Sequence, residues 1–277
     1  MRVKFWGTRG SLASAGPETT RYGGNTACIE VESGETSLVV LDAGSGIHRL
    51  GVAVPNNVSR IDILLSHLHM DHIQGLGFFG PLFWPGLEVH IWGPPSATLG
   101  LRDRLTRYLS PPLFPVGLRD LPCDLTLHDV PTRDPFAIGR LTVTAELVIH
   151  PGPTVGYRLQ DGRAIVVYLP DHEPALGSHG FPGPARWLSG AHLAADADVL
   201  IHDAQYTTAE YTTRVGWGHS TLPQAVAFAV AVGARSLVTF HHDPSHDDTM
   251  LDNLHAHLER SGATTVLASR DGLILDA

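Results

Sequence analysis

The stretch Ser66-His67-Leu68-His69-Met70-Asp71-His72 constrains this chain more than any other. It follows directly on residues 61–65, an apolar run that reads as a buried strand. His67 and His69 are two apart, so in an extended segment they face the same side. Asp71 continues that register, and His72 falls where the chain should turn into a helix. One loop can thus present two imidazoles to one ion and a carboxylate with an imidazole to another. A zinc ion takes about four N, O or S ligands, so the fold must bring the remaining donors from distant segments. A solubilising loop is the bland alternative. Three histidines and an aspartate in six positions after a buried strand speak against it.

The rest of the composition agrees. Seventeen histidines in 277 residues are an excess, and they group at the ends of predicted strands. Histidine is the commonest metal ligand and titrates near neutrality. With 43% hydrophobic residues the chain can bury a sizeable core. No apolar run has the length of a membrane span, and residues 1–6 read as a strand instead of a signal peptide. Two cysteines, Cys28 and Cys123, make no disulfide framework, which points to a reducing, cytoplasmic setting. The net charge of −9 argues against nucleic-acid binding driven by bulk charge, though not against a local basic patch.

Strands are predicted at residues 3–6, 27–32, 37–41, 61–65, 88–92, 141–149, 155–159, 164–169, 199–202, 236–240 and 265–268. Helices are predicted at 96–108, 222–232 and 248–260. Asp161-Gly162 signals a hairpin. The proline-rich stretch 110–135 reads as an irregular insertion. Sheets with helices outside them give an α/β or α+β class, in one domain over residues 1–277.

His67-x-His69-x-Asp71-His72 is similar to the signature of the metallo-β-lactamase-fold hydrolases, which implies a four-layer αββα sandwich with a metal site at one sheet edge. The segments Phe5–Ser11, Arg21–Thr26, Leu41–Gly44, His150–Gly152, Tyr168–Glu173, Gly218–Thr221 and Phe240–Pro244 extend the resemblance over nearly the whole chain. They resemble the phosphodiesterase branch, which holds tRNase Z, phosphonate-pathway cyclic phosphodiesterases and class II cyclic-nucleotide phosphodiesterase-like proteins.

That resemblance implies a ligand set. His67, His69, His150 and Asp171 would hold one divalent ion; Asp71, His72, His241 and the shared Asp171 would hold the other. His241, His242 and His246 all follow the strand at 236–240; the family pattern selects His241, with His242 second and His246 behind them. Imidazole and carboxylate without thiolate suit Zn²⁺, with Mn²⁺ or Fe as alternatives. Such a pair of ions sharpens a bridging water into a nucleophile. Asp71 would orient that nucleophile, and His219, just before the helix at 222–232, would act as general acid. Asp42 would buttress the metal loop, and His202-Asp203 would orient a ligand imidazole. Arg9, Arg21, Asn25 and Thr26 are expected to border the cleft. Residues 109–115 either wall that cleft or, the preferred reading, cover a sheet edge.

The expected function is a dinuclear phosphodiesterase acting on a small or cyclic nucleotide-like diester, with a homodimer suggested by the same resemblance. A lactone, thioester or β-lactam hydrolase is the alternative, because the ligands alone do not choose between phosphorus and acyl carbon. A tRNA 3′-processing endonuclease ranks lower: the chain has a single lysine, Lys4, and shows no basic arm.

Overall fold

Alternation along the strands decides the layering. In the segment Ser37–Leu41, Val39 and Leu41 enter one apolar cluster while Leu38 and Val40 enter another. A strand whose two faces are both apolar must be covered on both sides. The computed structural model, which describes residues 1–32, 36–132, 134–162, 164–177, 181, 184–256, 258 and 260–277, provides that cover with two sheets and two sets of helices.

The first sheet contains β1 (Arg2–Gly7), β2 (Cys28–Glu32), β3 (Ser37–Leu41), β4 (Arg60–Leu64), β5 (Glu88–Gly93) and β6 (Asp124–Asp129). The second contains β7 (Phe136–Ile138), β8 (Leu141–Leu147), β9 (Val155–Asp161), β10 (Ala164–Leu169), β11 (Val199–Asp203), β12 (Ser236–Phe240), β13 (Arg260–Ser261) and β14 (Thr264–Ala268). A last strand, β15 (Ile274–Asp276), returns to the first sheet beside β1. The helices are α1 (Gly46–Ala53), α2 (Met70–Ile73), α3 (Leu101–Thr106), α4 (Ala191–Ala194), α5 (Thr208–Tyr211), α6 (Leu222–Ala231) and α7 (Asp248–His255).

Between the sheets lie Phe5, Ile29 and Leu41 from one side and Tyr157, Tyr168 and Phe240 from the other. Outside the first sheet, Ile47 and Leu50 of α1 and Leu105 of α3 cover Val40 and Ile63. Outside the second, Leu193 of α4 and Phe228 of α6 cover Leu169, Leu200 and Leu237. The order helix, sheet, sheet, helix is the expected αββα sandwich.

Strand direction positions the chemistry. Strands β3 to β6 run parallel, as do β10, β11 and β12, so their carboxyl ends share one edge of each sheet. Strand β8 is antiparallel to β9, which is antiparallel to β10, so β8 ends at that same edge. Loops that leave carboxyl strand ends are where α/β sheets build ligand sites.

Several expectations need correction. Residues 110–135 are not wholly irregular: 124–129 form β6, an edge strand whose alternating Asp124, Thr126 and His128 hid it among prolines. Residue 133 of that stretch lies outside the described residues. The predicted helix at 96–108 shrinks to Leu101–Thr106, because Pro94 and Pro95 lead into it and Gly100 stands directly before it. The strand at 141–149 ends at Leu147, and the helix at 248–260 ends at His255; residues 257 and 259 are outside the described set. α1, β7 and β15 had no sequence expectation. Among the described residues no helix is long and apolar enough to cross a membrane.

Candidate metal centre

Strand β4 ends at Leu64, the chain bends at Ser66, and α2 begins at Met70, with His69 extended as its N-cap. This short descent places His67, Asp71 and His72 inward, while His69 is exposed at the mouth. His150 arrives three residues after β8, Asp171 two residues after β10, and His241 directly after β12.

The structure brings these seven together in two groups. One ligand atom each from His67, His69, His150 and Asp171 lie within 4.8 Å of one another, and the same holds for Asp71, His72, Asp171 and His241. Asp171 belongs to both. In the first group His150 Nε2 is 3.2 Å from His69 Nδ1, and His67 Nε2 is 3.7 Å from Asp171 Oδ2. In the second, His72 Nε2 is 3.0 Å from Asp171 Oδ1, and His241 Nε2 is 3.1 Å from Asp71 Oδ2 and 3.3 Å from Asp171 Oδ2.

Each inward-facing ring is fixed through its other nitrogen. Asp42 Oδ2 accepts from His72 Nδ1 at 2.7 Å, from Ser66 Oγ at 2.8 Å and from Tyr168 OH at 2.8 Å. The Ser66 hydroxyl, having donated to Asp42, is left to accept from His67 Nδ1 at 3.1 Å. The Gly218 carbonyl accepts from His150 Nδ1 at 2.9 Å, and Gln205 Oε1 from His241 Nδ1 at 3.0 Å. A proton held at Nδ1 leaves Nε2 with its lone pair, which is what orients an imidazole as a metal ligand. Four rings are thereby aimed at one small volume.

Two atoms in that volume are poorly satisfied. His67 Nε2 is buried without a hydrogen-bond partner, and Asp171 Oδ1 meets only His72 Nε2, 3.0 Å away and outside good hydrogen-bond geometry, although such groups in folded proteins are nearly always satisfied. A buried lone pair beside a buried carboxylate oxygen is a donor set that a divalent cation would satisfy. The chemistry of the residues therefore fits two such ions, held by nitrogen and oxygen. Cys28 and Cys123 are buried in the outer apolar cluster of the first sheet, away from both groups.

The backbone is distorted to achieve this convergence. Ser11, Asp42 and His241 have φ values of 58°, 60° and 63°, a conformation that costs non-glycine residues on the order of 1–3 kcal/mol. Ser11 uses it to donate its N–H to Asp71 Oδ2 at 2.7 Å. Glycine appears where a ring needs the space. A Cβ on Gly10 would stand 2.2 Å from His241 Nδ1, and one on Gly218 would stand 2.3 Å from His150 Nδ1.

Electrostatically the two groups are opposites. Burial lowers His67, His69 and His150, the last to about 4, so all three are neutral near pH 7. Burial also opposes charge on His72 and His241, but Asp171 and Asp71 overcome it. His72 is raised, and His241 reaches about 9. Asp71 and Asp171 stay ionised: burial would raise both, and the facing imidazoles lower them further than that.

Beside the cluster stands His219, held at the entrance to α6. Thr221 caps that helix reciprocally with Gln224, and Pro223 occupies its first turn. His219 Nδ1 donates to Asp203 Oδ2 at 2.6 Å, and its ring stacks on His241 with centroids 4.9 Å apart. Asp203 is fully buried and also accepts from the Ser220 and Gln205 N–H groups. With Nδ1 so occupied, Nε2 is the free nitrogen of the His219 ring.

Other expected residues lie elsewhere. His242 turns away, its Nε2 bonded to the Ser269 carbonyl, and His246 pairs with Glu210. His202 orients nothing in the cluster; it faces His172 and packs on Phe228. Among the described residues Arg9, Arg21, Asn25 and Thr26 bond mainly to neighbouring loops, with Arg9 Nη2 left buried and unpaired. Arg9 binds the carbonyls of Gly23, Asp243 and His246; Arg21 pairs with Asp252; Asn25 and Thr26 bond Asp271 and Ser45. Their polarity locks loops together. Gln205, Ser66 and Glu173 carried no expectation. Glu173 is buried and accepts from the Gly216 and Gly218 N–H groups and the Tyr211 hydroxyl, fixing the loop that carries His219. Its position two residues after Asp171 was the only sequence signal.

Comparison with known proteins agrees with this geometry. A family model described as "Beta-lactamase superfamily domain" matches residues 38–242. "Ribonuclease Z" of Myxococcus xanthus is 28% identical over 291 aligned residues, covering 89% of this chain and 88% of the relative. Among solved structures, the metallo-beta-lactamase fold protein YhfI from Bacillus subtilis superposes with a TM-score of 0.71 at 20% identity, covering 99% of this chain and 98% of that one. A "New Diphosphatase from the PhnP Family" gives 0.69 at 17% identity, covering 100% and 97%.

Proposed function

This chain belongs to the beta-lactamase superfamily and is a metal-dependent hydrolase; from that premise we propose that it is a dinuclear phosphodiesterase acting on a small or cyclic nucleotide-like diester. The observation that carries the proposal is the pair of His/Asp groups sharing Asp171, with His67 Nε2 buried and unpaired beside it. In this reading His67, His69, His150 and Asp171 hold one cation, and Asp71, His72, His241 and Asp171 the other, zinc being the first choice for a nitrogen–oxygen site. When bound, such ions neutralise phosphoryl oxygens and lower the pKa of a coordinated water.

The remaining roles belong to the chain. Asp42, Gln205, Ser66 and the Gly218 carbonyl keep four imidazoles in the tautomer that points a lone pair inward. His219 supplies a proton from Nε2 to the departing ester oxygen, while Asp203 holds its Nδ1 proton and balances the charge of the imidazolium. A general acid serves a lactone as well as a diester, but the ribonuclease name of the Myxococcus relative belongs to phosphodiester chemistry. This supports phosphorus over carbon. The named activity of the Myxococcus relative supports a second reading, RNA processing; the single lysine and net charge of −9 weigh against a polyanion held by bulk charge.

The test is a parallel assay of purified, metal-quantified protein on bis-p-nitrophenyl phosphate, 2′,3′- and 3′,5′-cyclic nucleotides, a precursor tRNA, a homoserine lactone and nitrocefin. Diester turnover should exceed acyl turnover. Faster lactone or nitrocefin hydrolysis would reverse the assignment, and cleavage confined to the tRNA would select the second reading.

A further inference from the structure

A pocket of about 540 Å³ lies against the metal loop and takes no part in the cluster itself. Its walls are Leu68, Met70 and Ile73 from the loop and α2, and Leu113 from the stretch after α3. Tyr108, Arg104 and Arg107 close it. A smaller cleft of about 150 Å³ runs past His67 and His69 toward Pro151–Pro153, and it shares Leu68 and Arg104 with the larger one. Leu68 sits in sequence between two of the metal-loop histidines, so whatever fills the large pocket abuts the His67–His69–His150 side.

The lining states what fits. The volume lies in the ~300–1,000 Å³ range of small-ligand sites. Leu113 is 70% exposed and Met70 53% exposed, so the rim of the pocket is apolar and open to a ligand. Arg104 donates from Nη2 to the Pro94 carbonyl at 2.6 Å, with Asp129 3.6 Å from that nitrogen, yet its Nε is buried without a partner. Arg107 is exposed and has no ion pair among the described residues. Arg104 lines both pocket and cleft and Arg107 lines the pocket; two guanidinium groups beside an apolar wall suit an anion attached to an apolar ring.

We propose that this pocket is the specificity subsite for the organic arm of the substrate: a planar ring carrying a phosphate, packed against Leu113 and Tyr108 and paired with Arg104 and Arg107. The proposal rests on the phosphodiesterase reading and names which diesters it favours. Residues 109–115 would then do both things expected of them: Leu109 and Phe114 pack into the cluster outside the first sheet, while Leu113 walls the pocket.

The experiment measures equilibrium binding to purified, metal-quantified protein by calorimetry, using adenosine 5′-monophosphate, phenyl phosphate and inorganic phosphate as probes. The two ring-bearing probes should bind more tightly than phosphate; their ratio separates a nucleobase from a simple aryl ring. Leu113→Asp and Arg107→Ala alter exposed side chains outside the core. Leu113→Asp should weaken the preferred ring-bearing probe by about 10- to 100-fold without a matching loss for phosphate, whereas Arg107→Ala should weaken all three probes; each should raise KM for bis-p-nitrophenyl phosphate more than it lowers kcat. Equal binding of all three probes, a Leu113→Asp variant that leaves their ratio unchanged, or an Arg107→Ala variant that leaves every affinity unchanged would overturn the pocket while leaving diester hydrolysis in place. Variant-sensitive ring binding without any diester hydrolysis would keep the pocket and remove the reading it rests on. Variants that dissociate a dimer in light scattering, with ligand affinity unaltered, would also overturn it.

Discussion

The two halves of the cluster share a carboxylate and little else. His67, His69 and His150 are neutral because burial dominates them; His72 and His241 carry protons because Asp71 and Asp171 face them. In the first half the lone pairs stand ready. In the second, protons occupy the place that cations would take. Metal binding there must release those protons, so the two halves should load differently although their donors are nearly the same in kind.

The largest expected effect comes from removing what the halves share. Asp171→Ala should abolish retention of both cations and lower kcat/KM by roughly 10³-fold or more; elemental analysis alongside the assay decides it. Asp71→Ala, by contrast, should cost one equivalent, and retention of two would break the division into halves. His219→Ala should keep both metals and lower diester turnover by about 10²- to 10⁴-fold, since it lies beside the cluster and not in it. Asp42→Asn should weaken metal affinity by about 10- to 100-fold, seen by competition with a chelating dye, and mainly in the half that contains His72.

The comparison also sets a pH dependence. His241 is raised from 6.5 to about 9 in the folded, metal-free protein. Its contribution to stability is therefore full below pH 6.5 and lost as pH rises through about 9. Urea midpoints of chelator-treated protein should fall over that window, while the metal-loaded protein should not follow the same curve. A flat metal-free profile would remove the protonated half from the account. The smallest effect is local: Thr221→Ala deletes the cap of α6 at a cost of about 0.5–2 kcal/mol, readable as a lowered denaturation midpoint with metal content unchanged.

What could be read in advance follows a physical line. The convergence of groups at ends of apolar strands, such as His67, Asp171 and His241, was legible because a strand rich in apolar residues is buried, and polar groups clustered at its end need partners there. Which of His241, His242 and His246 faces the cluster was not, because it depends on distant partners: Gln205 for His241, the Ser269 carbonyl for His242 and Glu210 for His246. Ser66, Gln205 and Glu173 were silent because each acts through hydrogen bonds to residues far away in sequence. β6 was hidden by its polar edge alternation, and α1 because its short run follows a turn that looked complete at Gly44. The arginines misled for the opposite reason. A basic residue in a glycine-rich loop suggests an anion site, yet Arg9 is buried and bonded to backbone carbonyls.

Crystals of zinc-loaded protein measured at the zinc absorption edge would decide the main point. The account requires two anomalous peaks flanking the Asp171 carboxylate, each within ~2.0–2.2 Å of its coordinating nitrogen and oxygen atoms, one among His67, His69 and His150 and the other among Asp71, His72 and His241. A single peak, or peaks remote from Asp171, would contradict it.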